Sequence, residues 1–250
     1  MMKRFAPGLW PTLIVLLLLP VLISLGFWQL ERGEQKRSML SQYNERRAAV
    51  PVSIGELLYA EDPAWRRVHI RGHFDSAHSV LLDNSIRDGR AGVELLQPFM
   101  DHASGLWLLV NRGWLPWKDR RTRPVISTPN HVQALDAWVY VPARAPFQLE
   151  PDAPQGSWPR LVNAVFADQL WSQLGREGYS HELRLEPGPV AYRVDWPVVA
   201  ISPEKHVGYA VQWFALSTAL MCLYLYRGRV LGRTAQEDRH GSRHEPHRHA

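Results

Sequence analysis

The chain of 250 residues is 46% hydrophobic and 21% charged, a globular balance that excludes wholesale disorder. Its formal charge of +5 sits at the two ends, +2 in residues 1–30 through Lys3 and Arg4 and +3 in residues 227–250, while residues 31–205 are neutral, so a general nucleic-acid binder is disfavoured. The one cysteine, Cys222, excludes an intramolecular disulfide, a Cys-X-X-Cys redox pair, a covalent Cys-X-X-Cys-His haem site and a cysteine zinc site.

After a short N-terminal segment, residues 1–9, the stretch from Pro11 to Trp28 is 18 residues without a charge. Extended to Leu9 and Leu30 it reaches the roughly 20 residues that cross a bilayer core, and a membrane span is placed at 10–29. Trp10 and Trp28 mark its edges, as amphipathic rings do at an interface. A cleaved signal peptide fits less well: the apolar run is longer than the usual core of about 7–15 residues, and no small-x-small cleavage site follows. Pro20 lies mid-span, where neighbouring helices tolerate a kink. The helix is expected to continue outward, with Gln29, Arg32 and Lys36 on one face, Met39, Leu40 and Tyr43 as apolar contacts, and Pro51 as a boundary.

Residues 30–205 are long enough for one domain with its own core. Residues 67–75 alternate polar and apolar, as a half-buried strand does, and residues 79–83 follow as an expected pairing partner. Asp88-Gly89 and Gly92 are turn signals. Residues 93–100 and 106–111 read as two strands around the turn 101–105, and residues 132–141 as another. Asp168 to Leu174 is a short helix candidate with Ala167, Leu170, Trp171 and Leu174 on one side, and Pro142 to Pro159 reads as a loop. Strands at short intervals with hairpin turns predict a largely antiparallel sheet or small barrel.

Val207 to Tyr226 is a second uncharged run, of 20 residues, and a second span is placed at 206–226. Lys3 and Arg4 precede the first span, and Arg227, Arg229 and Arg233 follow the second; short basic flanks stay cytoplasmic. Both termini are therefore expected in the cytoplasm. The resulting fold class is an α+β membrane protein, two transmembrane helices flanking a mainly antiparallel β extracytoplasmic domain. The tail 227–250 carries His240, His244, His247 and His249; it reads as a disordered polar tail, with metal binding as the alternative.

Three motifs stand out together: Leu25-Gly-Phe-Trp-Gln-Leu-Glu-Arg32 with Lys36 after it, Leu109-Val-Asn-Arg-Gly-Trp-Leu-Pro116, and Lys205-His-Val-Gly-Tyr-Ala-Val-Gln-Trp-Phe-Ala-Leu216. Their order, with the two spans around them, resembles the surfeit locus protein 1 family of cytochrome c oxidase assembly factors. The resemblance runs from about residue 10 to 226, is also specific at Gly72-His-Phe and Gly89/Gly92, and is weak between Arg144 and Trp196, where only Pro159 to Asn163 looks familiar. It implies a non-catalytic assembly factor in a bacterial inner membrane, acting in the respiratory chain while haem a enters the large catalytic subunit. Haem a becomes a transiently bound cofactor, and the partners implied are that subunit, membrane lipid and, as a further candidate, haem a synthase.

The residues can be read beside that resemblance. His206 stands at the mouth of the second span, and neutral imidazole is a good iron ligand. Tyr209, Ala210 and Trp213 follow on the same helical face; an interfacial histidine beside ordinary aromatic-belt residues is the alternative. Trp28, Gln29 and Arg32 lie at the mouth of the first span, where Arg32 suits a haem propionate or simply snorkels beside an interfacial tryptophan. Arg112-Gly113-Trp114 is expected to end a strand, with Trp114 as a membrane-face anchor and Arg112 facing a carboxylate, or else to be a structural turn with a solvated arginine. His69 and His73, about 13 Å apart on a strand, read as surface residues. With Met39 and Met100 the only sulfur in 31–205, a copper-donor role is disfavoured. No Gly-x-Ser-x-Gly elbow, P-loop or His-Glu-x-x-His occurs, which counts against a membrane-anchored enzyme. The remaining rival is a structural chaperone of the oxidase subunit that does not touch haem.

Overall fold

The computed structural model describes residues 7–142 and 157–241, apart from the side chains of Asn84 and of residues 232–241. Lys3, Arg4, most of the expected 142–159 loop, the His240 side chain and His244, His247 and His249 lie outside the described residues. Two compact units emerge, residues 1–41 with 198–250 and residues 42–197.

The first unit is a pair of long helices. Helix α1 spans Leu9–Ala48 and runs through Pro20 without interruption, so the expected continuation past the apolar stretch is observed. Helix α4 spans Pro203–Gly241. Both are long and apolar enough to cross a membrane. Most of their large apolar side chains point outward; Leu16, Leu17 and Val211 are among the exposed ones. The buried and half-buried positions follow a heptad-like rhythm: Val15, Leu19, Leu22, Gly26, Gln29, Gly33 and Lys36 on α1, and Pro203, His206, Ala210, Trp213, Ser217 and Tyr224 on α4. Such spacing keeps one seam facing a partner helix. Thr12 bonds Tyr224 at one end of the seam and Gln29 bonds His206 at the other, so the helices are antiparallel. Close approach is set at Gly26, where a Cβ would lie 2.5 Å from the Phe214 ring. The reading of a disordered tail after Arg233 is corrected through Gly241. That stretch contains Arg, Ala, Gln and Glu, all good helix formers, and helix α4 carries on through it.

The second unit is built on seven strands: β1 Arg67–Phe74, β2 Val80–Arg87, β3 Arg90–Asp101, β4 Trp107–Pro116, β5 Gln133–Tyr140, β6 Arg160–Val162 and β7 Gly178–Leu185. Two helices accompany them, α2 Ile54–Leu57, opened by a Ser53/Glu56 capping box, and α3 Ala167–Leu174, close to where the sequence placed it. The strand order is β1-β5-β7-β4-β3-β2-β6, and a further β1–β3 pairing closes β1, β5, β7, β4 and β3 into a five-stranded barrel. The sheet is mixed, which corrects the mainly antiparallel expectation: β4 runs parallel to β7 and β2 parallel to β6. β2 was expected to pair with β1, but it pairs with β3 instead. The β3 strand is long enough to serve both neighbours, with Leu96 and the residues before it facing β2 and Phe99 to Asp101 facing β1. Pro98, which has no N–H to give a ladder, sits where the partner changes. Closure also requires Gly72, because a Cβ there would fall 1.8 Å from the Met100 carbonyl oxygen.

Alternation along the strands fills the barrel. Val68, Ile70, Phe74, Phe99, Leu108, Val110, Leu135, Val139, Leu183 and Leu185 meet in one core with Ile54 and Leu57 of α2. Leu109 points the other way and packs with Val80, Leu96 and the α3 residues Leu170 and Trp171. β4 is therefore covered on both faces, and its first half, Trp107 to Val110, is an unbroken apolar run, as in strands buried on both faces. The last turn of α1 belongs to this unit: Tyr43 packs edge-on against Trp65 and Trp138, Arg46 pairs with Asp62, and Arg47 pairs with Glu186.

Candidate functional site

Within the helix pair, the Nδ1 of His206 lies 2.8 Å from Oε1 of Gln29. Helix α1 presents Gln29 one turn before Gly33, whose missing side chain leaves room beside the His206 Cβ and the Pro203 carbonyl. The imidazole is 9% exposed and Ala210, one turn on, is 1% exposed. Trp213 is half-buried further along the same seam, whereas Tyr209 is turned outward. On α1, Arg32 is exposed, stands 5.7 Å from the Trp28 ring and donates to Oε1 of Gln35. The six residues expected at the helix mouths thus occur on one helix pair, with His206 and Gln29 in direct contact. Spacing correctly placed Ala210 and Trp213 on the His206 face and Lys36 on the Gln29 face, but Tyr209 and Arg32, expected on those faces, turn away from the seam; the Gln29–His206 bond, between residues 177 apart, was not legible.

Arg112 and Trp114 belong to the barrel unit and sit inside β4, which continues to Pro116, so the expectation that they end a strand is corrected. Neither is an exposed anchor. Trp114 is 6% exposed and its Nε1 donates to the Ser85 carbonyl. Arg112 is 3% exposed; its Nε donates to the Val190 carbonyl and its Nη1 to Oε1 of Gln97. Gly113 adopts φ +110, and a Cβ there would sit 2.7 Å from the Arg193 carbonyl oxygen, the close backbone approach that a glycine permits. Burial lowers the Arg112 pKa, against a smaller opposing pull from Tyr192.

A second polar cluster in the barrel had no signal in the sequence. The Asn111 amide donates to Oε2 of Glu94 and to Oε1 of Glu182, each at 2.9 Å, and Arg184 pairs with Glu182 while Arg87 pairs with Glu94. Burial acts to lower the Arg184 pKa, but Glu182 and Glu94 outweigh it and leave it raised. His69 lies against Asp136, and Nδ1 of His73 is 3.2 Å from Nε2 of His102. His69, His73 and His102 are exposed, as the strand reading expected for His69 and His73. Among the described residues no group of three His, Cys, Asp or Glu side chains is placed to hold a metal ion.

A mixed β-barrel domain inserted in the sequence between two long apolar helices, with a histidine hydrogen-bonded across the helix seam, defines the class of protein. A family model described as the SURF1 family matches residues 16–218. The chain therefore belongs to the SURF1 family, known as a family of cytochrome c oxidase assembly factors. Similar proteins include Surfeit locus protein 1 of Xenopus tropicalis, 24% identical over 229 residues that cover 84% of this chain and 73% of that protein. The SURF1-like protein of Rickettsia felis is 26% identical over 227 residues, covering 88% of this chain and 97% of its own. The SURF1-like protein of Caenorhabditis elegans is 28% identical over 249 residues, covering 88% and 75%.

Proposed function

We propose that this chain is an integral membrane assembly factor of cytochrome c oxidase that holds haem a transiently as it enters the large catalytic subunit. The observation that carries the reading is the Gln29–His206 contact. An amide oxygen only accepts, so the bond to Oε1 places the proton on Nδ1 of His206. Nε2 then keeps the lone pair that an iron ion requires, and the second-shell partner holds the ring. Haem a is cargo in this scheme and supplies the iron. Trp28, Tyr209 and Trp213 offer flat aromatic surface, and the Arg32 guanidinium suits a propionate. No covalent step is assigned to the chain, so it is not an enzyme; its partners are the large catalytic subunit, haem a synthase upstream, and lipid. Helices α1 and α4 cross the bacterial inner membrane with both termini in the cytoplasm and the barrel unit in the periplasm. This orientation is supported by the antiparallel pairing of α1 with α4 and by the basic residues that flank both apolar stretches.

One observation favours a second reading, a chaperone of the oxidase subunit that does not bind haem: His206 is already enclosed in the seam and bonded across it, a sufficient structural role. The test is the absorption spectrum of protein purified from a host that makes haem a. A Soret band is expected, and His206→Ala should lose it or shift it while the protein still inserts and folds. Arg32→Ala should weaken retention less, because a partly solvated ion pair contributes only about 0–1 kcal/mol. Unchanged haem content and spectrum in His206→Ala would remove the ligand assignment and leave the chaperone reading.

A further inference from the structure

Among the described residues the barrel unit contains a buried charge without a counter-charge. Arg112 is 3% exposed, and every acceptor it meets is neutral: the Val190 carbonyl at 2.9 Å, Oε1 of Gln97 at 2.6 Å and Oγ1 of Thr128 at 3.4 Å. Gln97 cannot relay a carboxylate, since its amide nitrogen is used on Ser79 and Thr128. The faces of the guanidinium are covered by Phe74 at 4.9 Å and Tyr192 at 5.1 Å. The other enclosed arginines of the sheet, Arg87 and Arg184, each pair with a glutamate; among the described residues Arg112 pairs with none. A guanidinium does not shed its proton in a protein, and a buried charge is costly until it is paired.

The guanidinium also has an opening beside it. Its Nη2 takes part in none of the hydrogen bonds among the described residues, and Arg112 lines a cavity of about 140 Å³ together with Ser127, Pro129, Pro189, Val190 and Tyr192. That volume has room for one carboxylate group. The Tyr192 hydroxyl, which accepts from the Ser127 N–H, ties the two walls of the cavity together. The hydrogen bonds at Nε and Nη1, with the Phe74 and Tyr192 rings close by, hold the guanidinium in place, the preorganisation that favours a planar carboxylate over a spherical ion.

We propose that Arg112 and this cavity form a carboxylate-binding site in the barrel unit, taking one carboxylate group either as a free small monocarboxylate or as the acidic arm of a larger molecule such as a porphyrin. The inference does not rest on the helix-pair reading and survives its failure.

The test uses the full chain in detergent and follows thermal unfolding with propionate as the probe. A saturable rise in Tm is expected with propionate, since a ligand bound only by the folded state stabilises it by mass action, and no such rise with equal concentrations of chloride or phosphate. Arg112→Gln should abolish the rise. Should that variant not fold, Ser127→Trp fills the cavity from an exposed position and should fold and lose the response. Competition assigns the source: a porphyrin diacid that displaces propionate while its dimethyl ester does not indicates the arm of a larger molecule, and no displacement by either indicates a free carboxylate. A response that is linear, equal for chloride, or retained in Ser127→Trp overturns the proposal.

Discussion

The Asp75 carboxylate joins the turn after β1 to the segment that follows α3. It accepts from His78 at 2.6 Å and pairs with Arg176 at 2.7 Å, and the Ala77 N–H caps it as well. Burial pushes its pKa up, but the bonds from His78, Arg176 and Ala77 outweigh that and hold it below the ordinary carboxylate value. A depressed folded-state pKa gives stability that is present above the unfolded value of about 3.9 and is lost as pH falls through the lower folded value. Asp75→Asn should therefore be less stable than wild type at pH 7, by about 2 kcal/mol for charge-assisted bonds. The difference should begin to narrow below about pH 4 and close only once pH has fallen below the folded-state value. Urea unfolding followed by tryptophan fluorescence at both pH values measures it, and a gap unchanged at acid pH would refute the assignment. Arg112 shows what single residues conceal. A lone arginine in a sequence reads as solvated, because the acceptors that bury it come from Gln97, Thr128 and Val190, which no local pattern connects to it.

Among elements, the helix seam was legible where spacing carried it and silent where contact did. A hydrophobic period announces which residues share a face, but it does not say that Gly26 must admit the Phe214 ring. Gly26→Ala places a Cβ against that ring at 2.5 Å and should loosen the helix pair by about 1–3 kcal/mol, the usual range for overpacking. The double variant Gly26→Ala/Phe214→Ala should recover part of that loss. Thermal inactivation in detergent reads both; additive losses would show that the two residues do not meet. In the barrel, alternation revealed β1 and the apolar runs of β3, β4 and β5, while β7 escaped notice. Its sequence, Gly178-Tyr-Ser-His-Glu-Leu-Arg-Leu185, looks like a polar loop. Glu182 and Arg184 neutralise each other, and Glu182 also accepts from the Asn111 amide within the sheet, so charges that ordinarily signal solvent sit at ladder positions facing β4 and β5.

For the whole molecule, the two-span reading makes a direct prediction. Reporters fused after Arg233 should be active as cytoplasmic fusions, and a reporter inserted at Gly105, in the turn between β3 and β4, should be active only as an extracytoplasmic one; the opposite result at either site would overturn the topology. A small barrel was one of the two arrangements the sequence predicted, but which strands close it was not legible, since register and strand order depend on pairings between distant residues. In the proposed two-span topology, one of these pairings sets a timetable for biogenesis. β7 is the strand inserted between β4 and β5, and it is made last, 17 residues before α4 begins. Until residue 185 has left the ribosome and crossed the bilayer, β4 and β5 each present a bare edge, the kind of surface that recruits foreign strands. The nascent chain thus waits at the membrane, held by α1 alone, through the slow, non-local step of its folding. Sealing the barrel and delivering the second helix to the lipid become nearly simultaneous events, so a ribosome that stalls between β5 and β7 leaves an anchored, open and adhesive intermediate on the far side of the membrane.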